Sequence, residues 1–77
     1  MTRSCSLLIE ADHVELMDGD VGPQVGDAFR LVHEQRHAGG DAVWYFYAVP
    51  SLSKPEALRR AQQWNDSYAH PQWPGLG

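Results

Sequence analysis

The chain has 77 residues, a hydrophobic content of 43%, a charged content of 21% and a formal net charge of −4 at pH 7. This composition is typical of one soluble globular domain and excludes an intrinsically disordered chain. No apolar run approaches the roughly 20 residues of a membrane-spanning helix. The apolar run near the start is also too short for a secretory signal peptide. We therefore expect a cytoplasmic protein that does not enter a membrane.

The acidic residues are concentrated in the first third of the chain. Residues 1–27 carry six carboxylates and one arginine, whereas residues 28–77 carry nearly equal numbers of both charges. An acidic surface disfavours direct nucleic-acid binding, which requires several cationic contacts to phosphate. It is typical either of a solvated face that keeps a small protein soluble or of a surface that binds a basic protein. The single cysteine, Cys5, excludes an internal disulfide.

Residues 6–17 alternate apolar and polar side chains, which predicts strand structure. The alternation changes near Asp12, so the segment forms either two short strands or one bent strand. The alternative is a helix with one apolar face, formed by Leu7, Ala11 and Val14. Residues 18–23 contain two glycines and a proline, which indicate a turn followed by a loop.

Residues 23–38 fit two secondary structures. As a helix, the segment begins at a proline, carries an apolar stripe and ends at a glycine pair. As a strand over 28–36, it leads into a hairpin loop at 37–41. Two details favour the strand. Gly26 would cost about 1 kcal/mol inside a helix relative to alanine, and Leu31 lies off the helical stripe but fits the strand alternation.

Residues 33–37 have the pattern H-E-x-x-H. This pentapeptide resembles the zinc-binding helix of metallopeptidases, in which both histidines bind the metal and the glutamate is the general base. The resemblance implies zinc held by His33 and His37, with Glu34 as the catalytic base. Glu56 has a plausible spacing for the third ligand. The arrangement requires a helix, because residues i and i+4 of a strand lie roughly 13 Å apart and cannot share a metal.

The second half of the chain predicts a strand and a helix. Residues 42–49 are almost all aromatic, β-branched or small and apolar, which predicts a strand. Bulky side chains on both of its faces favour a central position in the sheet. Ser53 and Glu56 have the spacing of a capping box, which begins a helix over 54–69. Pro71 lies just beyond its end. One face of this helix is mainly apolar, so we expect it to cover the sheet.

These elements predict an α+β fold in which a small antiparallel β-sheet is packed by one C-terminal helix. The strands are expected near 6–17, 28–36 and 42–49, the helix at 54–69 and an extended tail at 70–77. The alternative is a β-α-β-α arrangement in which 23–38 is helical. The sequence contains no internal repeat, and we expect residues 1–77 to form a single domain.

The expected function is binding, because the sequence contains no convincing catalytic set. It predicts a small acidic inhibitor, adaptor or regulatory accessory that binds a protein partner with a basic surface and needs no cofactor. Acidic side chains would steer this partner, and exposed aromatic side chains would anchor it. The residues expected to bind the partner are Asp12, Glu15, Asp18, Asp20, Tyr45, Tyr47 and Trp73. The alternative function is that of a zinc-binding, metallopeptidase-like protein.

Overall fold

The computed structural model describes residues 3–36 and 42–73, and it confirms the α+β class with one C-terminal helix. A four-stranded mixed sheet, in the order β2-β1-β4-β3, packs against that helix. The elements are β1 (Arg3–Ile9), β2 (Val14–Asp18), α1 (Gly22–Val25), β3 (Arg30–Arg36), β4 (Ala42–Ala48) and α2 (Lys54–Asp66). In these described ranges, neither helix has the length and the apolar character that crossing a lipid bilayer requires.

The sheet is mixed, whereas the sequence predicted a purely antiparallel one. β1 pairs with β2, and β3 with β4, in antiparallel register, but the two central strands β1 and β4 are parallel. The cause is the connection from β2 to β3. Residues 19–29, which we call the crossover, lead from the end of one outer strand to the start of the other, and both outer strands run in the same direction. As predicted for 42–49, β4 is a central strand.

Of the alternatives for residues 6–17, the structure contains two separate strands. β1 begins earlier than predicted, at Arg3, and ends at Ile9. A turn follows, in which the amide of Glu10 donates a hydrogen bond to the carbonyl of His13 at 2.7 Å. β2 then pairs with β1 along its whole length. The change in alternation near Asp12 therefore marks the tip of a hairpin.

Of the alternatives for residues 23–38, the strand is the one present. α1 is a single turn that ends at Val25. Gly26 follows with φ of 57° and ψ of −136°, a backbone conformation that glycine adopts without the steric cost of a side chain. β3 then includes Leu31, but an irregularity between Leu31 and His33 interrupts the alternation and places these two side chains on opposite faces. The predicted hairpin loop at 37–41 lies outside the described residues.

The two faces of the sheet have different covers. The helix-side face holds the main apolar core, which comprises Leu7, Ile9, Trp44, Phe46, Ala48, Leu52, Ala57, Ala61 and Trp73. The opposite face, which we call the crossover face, lies beneath the crossover. There the buried Ser6 donates a hydrogen bond to the carbonyl of Gly19 at 2.6 Å and accepts one from the amide of Val21 at 3.3 Å. Val21 is itself buried.

α2 begins with the predicted capping box. Ser53 Oγ accepts a hydrogen bond from the Glu56 amide at 3.3 Å, and Glu56 Oε1 accepts one from the Ser53 amide at 3.2 Å. The hydrogen bonds from Ser53 lower the pKa of the exposed Glu56 carboxyl. The helix ends at Asp66, earlier than predicted, in a tighter turn where the amides of Ser67 and Tyr68 donate to carbonyls three residues back, at Trp64 and Asn65.

The chain returns to the core at Trp73, which is only 1% exposed. Its ring packs edge-to-face against Phe46, with 4.9 Å between the ring centroids. The buried Asn65 side chain holds the Trp73 backbone with two hydrogen bonds, one to its carbonyl at 2.5 Å and one from its amide at 2.9 Å. The first part of the predicted tail is therefore bound to the helix-side face. Residues 74–77 lie outside the described residues.

Candidate partner-binding surface

The residues that resemble a zinc-peptidase helix lie on a strand. β3 spans Arg30–Arg36, so His33 and Glu34 point to opposite faces of the sheet. His33 packs on the helix-side face, with 5.2 Å between its ring centroid and that of Phe46. Glu34 is the register partner of Tyr45 on the crossover face. The helical arrangement of the peptidase motif is therefore not present in this part of the chain.

The other residues of the zinc hypothesis add no ligand set. Glu56 lies in the first turn of α2, where its carboxylate accepts hydrogen bonds from Ser53. His37 lies outside the described residues. Within the ranges that the structure describes, no three His, Cys, Asp or Glu side chains are close enough together to hold a metal ion.

The carboxylates of the first third of the chain are all at the surface. The exposed members of this group are Glu10, Asp12, Glu15, Asp18, Asp20 and Asp27. Among the side chains that the structure describes, Arg36 forms an ion pair with Glu34 at 3.9 Å. This pair includes none of the six carboxylates of the first third. β3, which carries Arg30 and Arg36, lies three strand spacings from β2, or about 14 Å. The carboxylates on β2 therefore lie far from Arg30 and Arg36, and none of the six forms an ion pair with a side chain that the structure describes.

β2 is an edge strand with regular hydrogen-bonding geometry. One side of it pairs with β1 without interruption from Cys5 opposite Asp18 to Ile9 opposite Val14. Its other side faces no strand in the described part of the chain. The second edge, β3, has an irregularity between Leu31 and His33, and such a bulge disrupts the regular pairing that another strand needs. β2 is therefore the edge better suited to accept an additional strand.

The side chains of β2 alternate between the two faces at this edge. By register with β1, Val14, Leu16 and Asp18 lie on the helix-side face, and Glu15 and Met17 lie on the crossover face. Leu16 is 39% exposed, although it is the register partner of the fully buried Leu7. Along the strand, Leu16 thus offers apolar contact area between the exposed carboxylates of Glu15 and Asp18.

A cavity of about 300 Å³ opens beside this edge on the helix-side face. Its lining residues are Cys5, Leu16, Asp18, Ala42, Trp44 and Gln72. Register explains the arrangement, because Cys5 is the partner of Asp18 on one side and of Trp44 on the other. The neighbouring strands β1, β2 and β4 therefore supply Cys5, Asp18 and Trp44 to the lining. The segment after α2 supplies Gln72. Among the described residues, the lining of the cavity is mainly apolar and its carboxylate is that of Asp18.

Asp20 has a structural role that its exposed position does not suggest. The Tyr47 hydroxyl donates a hydrogen bond to Asp20 Oδ1 at 2.5 Å, and the Gly22 amide donates to the same oxygen at 2.9 Å. These hydrogen bonds lower the pKa of Asp20. Burial, followed by the hydrogen bond and the charge of Asp20, raises the pKa of Tyr47 to about 12. The pair fastens the crossover to the sheet.

The structure brings together part of the predicted partner-binding set. Glu15 and Asp18 lie on β2, and Asp12 and Asp20 are exposed just before and just after it. The three predicted aromatic anchors differ in their exposure. Tyr45 is half-buried on the crossover face, whereas Tyr47 and Trp73, at 7% and 1% exposed, are buried parts of the fold. Neither of these two rings is available to anchor a partner.

Sequence reasoning missed Leu16 and the cavity beside it. Leu16 alternates with Glu15 and Met17, and that pattern indicates a strand face without showing whether the face is covered. Its exposure depends on β2 being an edge strand, which is a property of the strand order. Trp44 and Gln72 meet at the cavity only because the chain returns to the sheet after α2.

In comparisons with protein-family models, with curated proteins and with solved structures, this chain matches none.

Proposed function

We propose that the chain is a small acidic binding protein, acting as an inhibitor, adaptor or regulatory accessory, which recognises a basic extended segment of a protein partner along β2. The observation that carries the proposal is the regular β2 edge, on which the exposed Leu16 lies between the exposed carboxylates of Glu15 and Asp18. Backbone hydrogen bonds along an edge supply affinity, and the alternating side chains supply selectivity.

The charge of the surface supports a basic partner. Asp12 and Asp20 extend the negative surface beyond both ends of β2, and Lys54, Arg59 and Arg60 lie on the exposed side of α2. An approaching cationic segment would be steered towards β2, because complementary charge raises the association rate and suppresses wrong partners. A second copy of this chain is a poor occupant of the same edge, because pairing β2 with β2 brings two acidic surfaces together.

A blocked peptide, Gly-Arg-Val-Val-Lys-Val-Gly, tests the proposal. Paired antiparallel to β2, it places arginine opposite Asp18, valine opposite Leu16 and lysine opposite Glu15. We expect binding by titration calorimetry at low salt, amide NMR shifts concentrated in β2, and weaker binding as salt rises. The same peptide with N-methyl groups on the residues that pair with β2 cannot form the backbone hydrogen bonds, and we expect it not to bind.

Two matched charge reversals locate the interface. Glu15 and Glu34 are both exposed and both lie on the crossover face, but on opposite edges of the sheet. We expect Glu15→Lys to weaken peptide binding about tenfold or more, and Glu34→Lys to change it by less than about twofold. Equal effects of the two reversals, or NMR shifts centred on β3, would contradict the proposal. A cytoplasmic location is part of the same proposal, and fractionation of cells that express a tagged chain tests it.

A further inference from the structure

The cavity beside β2 has the chemistry of a pocket for one basic side chain. Its walls are apolar at Leu16, Ala42 and Cys5, and among the described lining residues the charged group is the carboxylate of Asp18. Trp44 contributes an aromatic side chain to the lining. Arginine and lysine combine a long apolar stem with a terminal cation, so apolar walls, a carboxylate and an aromatic surface match the successive parts of these side chains.

We propose that this cavity is the specificity pocket of the binding surface and takes an arginine or lysine side chain from the partner's strand. This proposal rests on the proposed function. In antiparallel pairing, the side chain opposite Asp18 emerges on the helix-side face, in the same row as Cys5 and Trp44. A long side chain at that position extends over the cavity. Its stem contacts Leu16, and its cation lies between the Asp18 carboxylate and the Trp44 ring.

The size and the charge of the cavity favour this occupant. A volume of about 300 Å³ lies at the lower limit of cavities that hold drug-sized molecules, which is roughly 300 Å³, so one long side chain is a better match than a whole metabolite. Asp18 makes no ion pair with the side chains that the structure describes, and Arg36 pairs with Glu34 on the far edge of the sheet. An incoming cation can therefore form an ion pair with the Asp18 carboxylate without breaking an ion pair between described side chains. An acidic or purely apolar side chain at this position would leave the Asp18 charge uncompensated.

The selectivity proposal is tested with a double-mutant cycle on the peptide described above. One partner of the cycle is Asp18→Asn, which removes the charge and keeps the shape of the side chain. The other is replacement of the peptide arginine by norleucine, which keeps an apolar stem without the cation. We expect Asp18→Asn to weaken the arginine peptide about tenfold and to leave the norleucine peptide within about twofold.

Cys5 provides an independent readout, because it lines the cavity and is the single cysteine of the chain. At saturating concentration, the arginine peptide should slow alkylation of Cys5 by iodoacetamide about fivefold or more. A peptide with alanine in place of arginine should leave the rate nearly unchanged once it is bound. Equal protection by both saturating peptides would mean that the strand shields Cys5 without filling the cavity, and would overturn the pocket assignment.

The outcomes separate the two proposals. Failure of every peptide to bind refutes the proposed function itself. Binding of the arginine and norleucine peptides with equal affinity, or equal weakening of both by Asp18→Asn, leaves β2 as a binding edge and refutes the pocket. Failure of the peptide to bind, together with sedimentation of the free chain as a dimer that Glu15→Lys dissociates, would assign this edge to a second copy.

Discussion

Replacing Tyr47 with phenylalanine isolates the hydrogen bond that fastens the crossover to the sheet. The Tyr47 side chain is 7% exposed, and its hydroxyl donates to Asp20 Oδ1 at 2.5 Å. The substitution keeps the packed ring and removes one oxygen atom. Asp20 is exposed and regains water as a hydrogen-bond partner when the phenol is lost. The variant therefore measures the hydrogen bond with little change in packing.

The expected cost follows from this geometry. A hydrogen bond to a charged group contributes about 1.5–3 kcal/mol to stability. Because the Asp20 carboxylate is rehydrated in the variant, we expect the lower end, about 1.5 kcal/mol. For a domain of this size, that loss corresponds to a fall in Tm of roughly 6–12 °C.

The same variant should change the dependence of stability on alkaline pH. Tyr47 has a pKa raised from 10.0 to about 12, first by burial and then by the hydrogen bond to Asp20. The unfolded chain loses this proton near pH 10, whereas the folded protein keeps it until about pH 12. Stability from this group is fully present below pH 10 and is lost as pH rises from 10 to 12. The wild-type protein should lose up to about 3 kcal/mol from this group over that interval.

Urea denaturation followed by tryptophan fluorescence, at pH 7 and at several pH values up to 11.5, measures both effects. Tyr45→Phe is the matched control, because Tyr45 lies on the same face of the same strand and its hydroxyl makes no hydrogen bond to the described residues. The reasoning is refuted if the two variants have the same stability at pH 7 to within about 0.5 kcal/mol. It is also refuted if Tyr47→Phe keeps the full alkaline dependence of the wild type.

Three further substitutions test how the fold is held together. Gly22→Ala places a Cβ against the Tyr47 hydroxyl oxygen and 3.1 Å from the ring carbon that bears it. Urea denaturation should show a cost of about 1–3 kcal/mol, and a smaller one in a Tyr47→Phe background. Asn65→Ala removes two hydrogen bonds to the buried backbone of Trp73. It should cost about 2–4 kcal/mol of stability and shift tryptophan emission to the red. Wild-type stability of this variant would contradict the role given to Asn65. Ser53→Ala removes the helix cap and should cost about 1 kcal/mol by thermal denaturation, whereas Ser51→Ala should be nearly neutral.

Local patterns predicted most of the secondary structure. The capping box predicted the start of α2, and the dense apolar run at 42–49 predicted a central strand, because both signals depend on residues close together in sequence. The choice of strand over helix at 28–36 also depended on local evidence, namely Gly26 and the alternation through Leu31. The end of α2 was predicted too late, because the backbone tightens at Ser67 and Tyr68, before the proline that was used as the stop signal.

Strand order and burial could not be predicted in the same way. Nothing within β1 or β4 indicates that these two strands pair in parallel, since that depends on the path of the crossover. The burial of Tyr47 and Trp73 likewise depends on segments that arrive from elsewhere, the crossover in one case and the chain after α2 in the other. Two of the three aromatic residues predicted as partner anchors, Tyr47 and Trp73, are therefore buried in the fold, and Leu16 is an exposed apolar side chain at the candidate surface.

The parallel pairing of β1 with β4 has a consequence for how quickly the chain acquires its structure. Leu7 and Phe46 are register partners although they lie about 40 residues apart, and such non-local contacts are characteristic of domains that fold in milliseconds to seconds. Each hairpin by itself can form within about 1–10 μs, but neither can cover its apolar face alone. The rate-limiting event should be the docking of the two hairpins. Until it occurs, the apolar side chains of β1 remain open to aggregation, so a newly made chain is most vulnerable between the synthesis of its first hairpin and that of its second.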